Sequence, residues 1–291
     1  MQELIGTGVA LITPFKADGS VDYPALDRLV DFQVDNGVDY LVIMGTTGEN
    51  VTLTDEEKKS VIQAIKKRND NRLPMVIGIA SNDTRVVVEQ IKNTDLSDYV
   101  AILSVSPAYN KPSQEGIYQH FKAIAEATDK PIIVYNVPSR TGTYVTVNTI
   151  VRLAHDFENI VGIKEADGDM IVAMKMVQYT PPGFLVISGD DAIALPMTLA
   201  GGAGVISVIG QAIAQDFSDM IRYALNGDVA EAYELHYKIS PSIDMIFEQG
   251  NPPGVKALLH QMGICEPHVR LPLVAADEDL NERMKAFLES Y

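Results

Sequence analysis

The chain has 291 residues, 46% hydrophobic and 21% charged, a balance that suits a globular protein large enough for one barrel-sized core with a helical appendage. Its formal net charge of −16 repels nucleic-acid phosphates and anionic lipid surfaces, which argues against nucleic-acid and membrane-surface roles. No stretch approaches the roughly 20 uncharged residues of a membrane span, no signal-peptide pattern opens the chain, and Cys265 is the lone cysteine, so a cytoplasmic setting is expected.

Along the chain, short β-branched runs alternate with amphipathic segments, the pattern of βα units around a parallel sheet. Strands are expected at residues 8–13, 39–44, 75–79, 99–104, 131–135, 160–164, 184–188 and 204–207. Helical patterns lie between them, for example at 23–36 and 55–69, the latter opened by Thr54 and Glu57 at capping-box spacing. Eight such units predict an α/β chain whose residues 1–225 form a (β/α)8 TIM barrel. After a break at Asn226-Gly227-Asp228, residues 226–291 are expected to form a small C-terminal helical subdomain, with a further helix starting at Pro252-Pro253.

In such a barrel reactive groups belong where strands end. The sixth strand ends in Lys164-Glu165, an amine on an apolar strand, where desolvation favours the neutral nitrogen that attacks a ketone; a surface lysine in a salt bridge is the competing reading. The fifth ends at Tyr135 and continues to Arg140: a phenol that can shuttle protons and a guanidinium that can grip a carboxylate. The second ends in Gly45-Thr46-Thr47-Gly48-Glu49, where a ligand can approach the backbone, although the lysine and spacing of a phosphate loop are missing. The fourth leads to Tyr109 in a loop.

Other features read as structural. Gly201-Gly202-Ala203-Gly204 precedes the eighth strand and is expected to be a packing turn, and Asp190-Asp191 is expected to cap the helix that follows. Cys265 reads as a buried, idle thiol. The five histidines show no paired ligand spacing, so a catalytic metal is not expected.

Together, Gly45-Thr46-Thr47-Gly48-Glu49, the Tyr135-to-Gly142 segment and Gly162-Ile163-Lys164-Glu165 resemble the dihydrodipicolinate synthase family of Schiff-base pyruvate aldolases, from about Gly6 to Leu273. The resemblance implies that Lys164 condenses with pyruvate and that the resulting enamine attacks aspartate semialdehyde. It further implies Tyr135 as proton shuttle, with Thr46 and Tyr109 extending the relay and Tyr109 reaching into a neighbouring subunit's site. Thr47 would hold the pyruvate carboxylate and Arg140 the semialdehyde carboxylate, with backbone groups of Gly189 and Ile206 lining the pocket. A homotetramer is the implied assembly, a homodimer the alternative.

Three positions depart from the family's lysine-inhibited members, which present histidine and glutamate where this chain has Lys58 and Val86, and tyrosine at Ala108. Lys58 repels an incoming ammonium and Val86 offers it no countercharge, so weak or absent lysine inhibition is expected. Two rival functions stay open at this point: another pyruvate-dependent aldolase such as N-acetylneuraminate lyase, against which the Arg140 loop speaks, and a non-catalytic keto-acid-binding barrel.

Overall fold

Aliphatic and β-branched runs form strands here because both faces of a parallel barrel sheet are covered. In a computed structural model describing residues 1–291, eight parallel strands close in sequence order. They are β1 (Gly6–Ala10), β2 (Tyr40–Ile43), β3 (Met75–Gly78), β4 (Ala101–Val105), β5 (Ile132–Asn136), β6 (Ile160–Glu165), β7 (Leu185–Ser188) and β8 (Gly204–Ser207). Helices follow the strands around the outside, giving the expected (β/α)8 barrel. The capping box forms in full: Glu57 N–H donates to Thr54 Oγ1 while Thr54 N–H donates to the Glu57 carboxylate.

β1 starts and ends earlier than the 8–13 run suggests. Beyond Ala10 the chain stays buried, but Ile12 N–H donates to the Gln211 side chain and the Thr13 hydroxyl to Gly48 O, so these groups leave the strand ladder. The 201–204 segment lies at the entry to β8, with Gly204 paired to Gly6, away from the strand ends that carry the site.

The core has two parts. An inner cluster fills the barrel with Val42, Val76, Leu103, Ile133 and Ile187, joined by Leu4 from the turn Gln2–Leu4 before β1. The larger cluster lies between sheet and helices. Gly227, at φ 85, ends the helix Ala214–Asn226 in the left-handed conformation glycine allows. The helices that follow, Val229–Glu248, Pro253–Gln261 and Glu278–Ser290, send Ile239, Leu258 and Met284 into this same outer core. No helix is long and apolar enough to cross a membrane.

One irregularity sets the chemistry. Ile132 pairs with Ile160 but Ile133 pairs with Gly162, so β6 carries one residue more than β5 across that step. Ile160 faces the outer core, and regular alternation would send Lys164, four residues on, to the same face. The bulge reverses the phase and brings Lys164 beside Tyr135, on the inner side.

Candidate active site

A cavity of about 240 Å³ opens at the carboxyl ends of the strands, and Thr46, Thr47, Tyr135, Arg140, Lys164 and Gly189 all form its walls. Lys164 is 4% exposed, and its Nζ stands 4.4 Å from the centre of the Tyr135 ring with no carboxylate paired to it. The salt-bridged surface lysine is thus excluded. Gly189 keeps this geometry open, because a Cβ there would lie 2.8 Å from Lys164 Cε and 2.7 Å from Ala166 Cβ.

The Thr46–Gly48 turn is reached through an unusual strand end. Met44 adopts φ 57, a left-handed conformation that a long side chain seldom takes, and its carbonyl accepts from Asn50 Nδ2 at 2.5 Å. Gly78 on β3 makes room for that carbonyl, since a Cβ at 78 would lie 2.4 Å from it. Thr46 is exposed on the cavity wall, while Thr47 is buried and its hydroxyl accepts from Asn251 Nδ2 at 3.0 Å. Arg140 sits on the short helix Pro138–Thr141 at the mouth and donates to Asn251 O at 3.4 Å. With Lys164, it is one of two cationic side chains on the cavity wall of this acidic chain.

Two expected residues lie elsewhere. Ile206 is fully buried in the inner cluster and is not a lining residue; β8 runs one residue past it, and Val208 reaches the wall instead. Tyr109 is 91% exposed and is not part of the chain's own cavity wall. Its backbone is nonetheless fixed beside the Arg140 loop, with φ 70 and an N–H that donates to Thr141 O at 3.2 Å.

Asp191 does not cap the helix Ala194–Leu199 as expected. Its buried carboxylate accepts from Val208 and Ile209 N–H and so ties the end of β7 to the turn after β8; burial pushes it up to about 6 against these bonds. Glu165, next to the lysine, is turned from the cavity and pushed up to about 7 by burial, although Asn136 Nδ2 and Asp167 N–H donate to it. Burial likewise raises the Cys265 thiol to about 12, which leaves it inert. No group of three or more His, Cys, Asp or Glu is placed to hold a metal.

Sequence reasoning missed Asn251 and Phe247, which enter the cavity wall from the C-terminal helical region. The only signal was position: Asn251 directly precedes the Pro252-Pro253 helix start. A second cleft of about 400 Å³ shares Met44, Asn50 and Ala80 with the first and is lined by Asp55, Lys58 and Lys59.

Comparison with known proteins agrees with this geometry. The chain matches the Dihydrodipicolinate synthetase family over residues 3–291. A 4-hydroxy-tetrahydrodipicolinate synthase of Flavobacterium psychrophilum is 58% identical over 287 residues, covering 99% of this chain and 98% of that protein. The crystal structure of dihydrodipicolinate synthase from Aquifex aeolicus has a TM-score of 0.94 at 40% identity, covering 99% of this chain and 98% of that one. A chloride-inhibited dihydrodipicolinate synthase from Acinetobacter baumannii, complexed with pyruvate, has a TM-score of 0.95 at 39% identity, with 98% of each chain covered. Matched over nearly its whole length, with an unpaired buried lysine facing a tyrosine at the barrel mouth, the chain belongs to the dihydrodipicolinate synthase family of enzymes.

Proposed function

We propose that the chain condenses pyruvate with aspartate semialdehyde to form 4-hydroxy-tetrahydrodipicolinate, the reaction its relatives are named for. The observation that carries this reading is Lys164, buried and free of any carboxylate, 4.4 Å from the Tyr135 ring in a cavity with Arg140 at its mouth. The Lys164 amine attacks the pyruvate ketone, water leaves, and a Schiff base forms; loss of a methyl proton gives the enamine, which adds to the aldehyde. Cyclisation then transfers the imine to the substrate's own nitrogen and releases the lysine amine. The chain's own groups supply this chemistry without a metal or organic cofactor.

Tyr135 carries protons to and from the Schiff-base centre, and Thr46 extends the relay. The Thr47 hydroxyl holds the keto-acid carboxylate, Arg140 grips the semialdehyde carboxylate, and the Gly189 backbone lines the space between. Tyr109 completes the relay in a neighbouring subunit of a homotetramer, a role its exposed ring and fixed backbone support. The Ile206 side chain packs beneath the site. Feedback by lysine is weak or absent, because Lys58 and Lys59 line the second cleft and Val86 and Ala108 add no carboxylate or phenol. The setting is the cytoplasm, where a lone buried thiol stays reduced.

The test couples purified protein, pyruvate and aspartate semialdehyde to NADPH oxidation by excess dihydrodipicolinate reductase, beside a Lys164→Ala control. Rapid oxidation is expected and should vanish in the control. No oxidation by folded, unaltered protein would reject this substrate pair.

A further inference from the structure

The turn that carries Thr46 and Thr47 is held from the far end of the chain. Glu49 closes it, donating its N–H to Thr46 O at 3.1 Å from a left-handed backbone at φ 52. Its buried carboxylate accepts from Lys256 Nζ at 2.6 Å and from Arg270 N–H at 3.0 Å. Lys256, on the helix Pro253–Gln261, is fully buried; its Nζ also donates to His268 O at 2.8 Å and stands 4.2 Å from the Phe15 ring centre. Two of its ammonium protons thus have hydrogen-bond acceptors, and the Phe15 ring face lies against the cation.

Stability alone does not account for so complete a buried pair, because apolar residues of similar volume commonly serve as well or better. Fixing one backbone arrangement does. A second tether runs in parallel: Asn251, just before the same helix, donates to the Thr47 hydroxyl, and its own carbonyl accepts from Arg140. The helix thus holds the Thr46–Thr47 turn at two points. Lys256 is not itself part of the cavity wall, and its ion pair with Glu49 is the side-chain contact that links it to the Thr46–Thr47 turn.

We infer that Lys256, acting through Glu49, is a positioning residue that sets the Thr46–Thr47 turn for the keto acid, making the C-terminal helix part of the catalytic apparatus. The inference rests on the roles proposed above for those two threonines. A substrate group misplaced by about 1 Å costs on the order of a hundredfold in rate, so a loosened turn should be visible in steady-state kinetics.

Lys256→Met tests the clamp, and the doubly apolar Lys256→Met/Glu49→Leu, which leaves no unpaired buried charge, serves if the single variant does not fold. Each is compared with unaltered enzyme by thermal melting, by borohydride trapping of pyruvate at Lys164, and by separate KM values for the two substrates. The expected result is a folded variant whose pyruvate KM and half-saturation for trapping both rise roughly tenfold or more, with the semialdehyde KM little changed. Arg283→Ala, which breaks the exposed pair with Glu248 elsewhere in the C-terminal helices, should move neither. A folded clamp variant with unaltered pyruvate KM would overturn the inference, as would an equal rise in both KM values alongside a lowered melting point. Absence of a trapped adduct in the unaltered enzyme would instead sink the functional reading, and this inference with it.

Discussion

The 45–49 turn after β2 and the 106–111 loop after β4 stand at the same rim, and each carries a side chain expected in the proton relay. Both also contain non-glycine residues in the left-handed region: Glu49 in the first, Tyr109 and Lys111 in the second. They are secured in opposite ways. The first turn is anchored by a buried ion pair, the Thr13 hydroxyl and the Asn251 amide. The second has its backbone held by single bonds to Tyr135, Asn82 and Thr141, with no ion pair, and leaves the Tyr109 ring in solvent. One half of the proposed relay is anchored within the chain, and the other is offered outward.

The comparison breaks most visibly at Glu49. Glu49→Ala should cost about 3–5 kcal/mol, because it strands the Lys256 ammonium in the core; a melting point within a degree of the parent's would show that the inner anchor carries no weight. Gly189→Ala tests how tightly the cavity is set around the lysine. Its new methyl meets both Lys164 Cε and Ala166 Cβ, so kcat should fall about a hundredfold and the overpacking should cost about 1–3 kcal/mol of stability.

Glu165 sharpens the picture of the inner half through pH. Its folded pKa is raised from 4.5 to about 7, so its stabilising contribution is full below the ordinary value and is lost as pH rises through 7. Between pH 5 and 8 this contributes on the order of 2 kcal/mol of falling stability. Glu165→Gln should flatten the melting-temperature slope over that window; an unchanged slope would mean another group titrates there.

Tyr109→Phe should lower kcat about tenfold without altering the melting point. Mixing it with Lys164→Ala should restore activity, since a Lys164-bearing subunit can then borrow Tyr109 from its neighbour. No recovery in exchanged oligomers would confine Tyr109 to its own chain. Asn110→Ala, in the outward loop, should change stability by less than about 0.5 kcal/mol.

What the sequence disclosed follows from how local each signal is. The strand runs and the Thr54 capping box depend on neighbouring residues, and both form within a few positions of where they were expected. Lys164, Tyr135, Thr46, Thr47, Arg140 and Gly189 share one cavity because strand ends in a closed barrel must converge. Asn251 and the Lys256–Glu49 pair were not legible: their partners lie more than 200 positions away in sequence, and neither a lone asparagine nor a lone lysine shows its burial. Asp191 was misassigned because a carboxylate beside a helix start looks like a cap, whereas its partners arrive from the turn after β8. Ile206 is buried and absent from the cavity wall, which Val208, two positions on, joins.

The extra residue in β6 has a consequence for how this gene tolerates change. In a regular strand, gaining or losing one codon is equally harmful, since either exchanges the two faces of everything downstream. Between Ile160 and Lys164 the two are unequal. Losing a codon would straighten the strand and leave the amine facing inward; gaining one would have to be absorbed by further distortion or would turn Lys164 toward the helices. The reaction therefore hangs on a length, counted from a buried point that no substrate reaches.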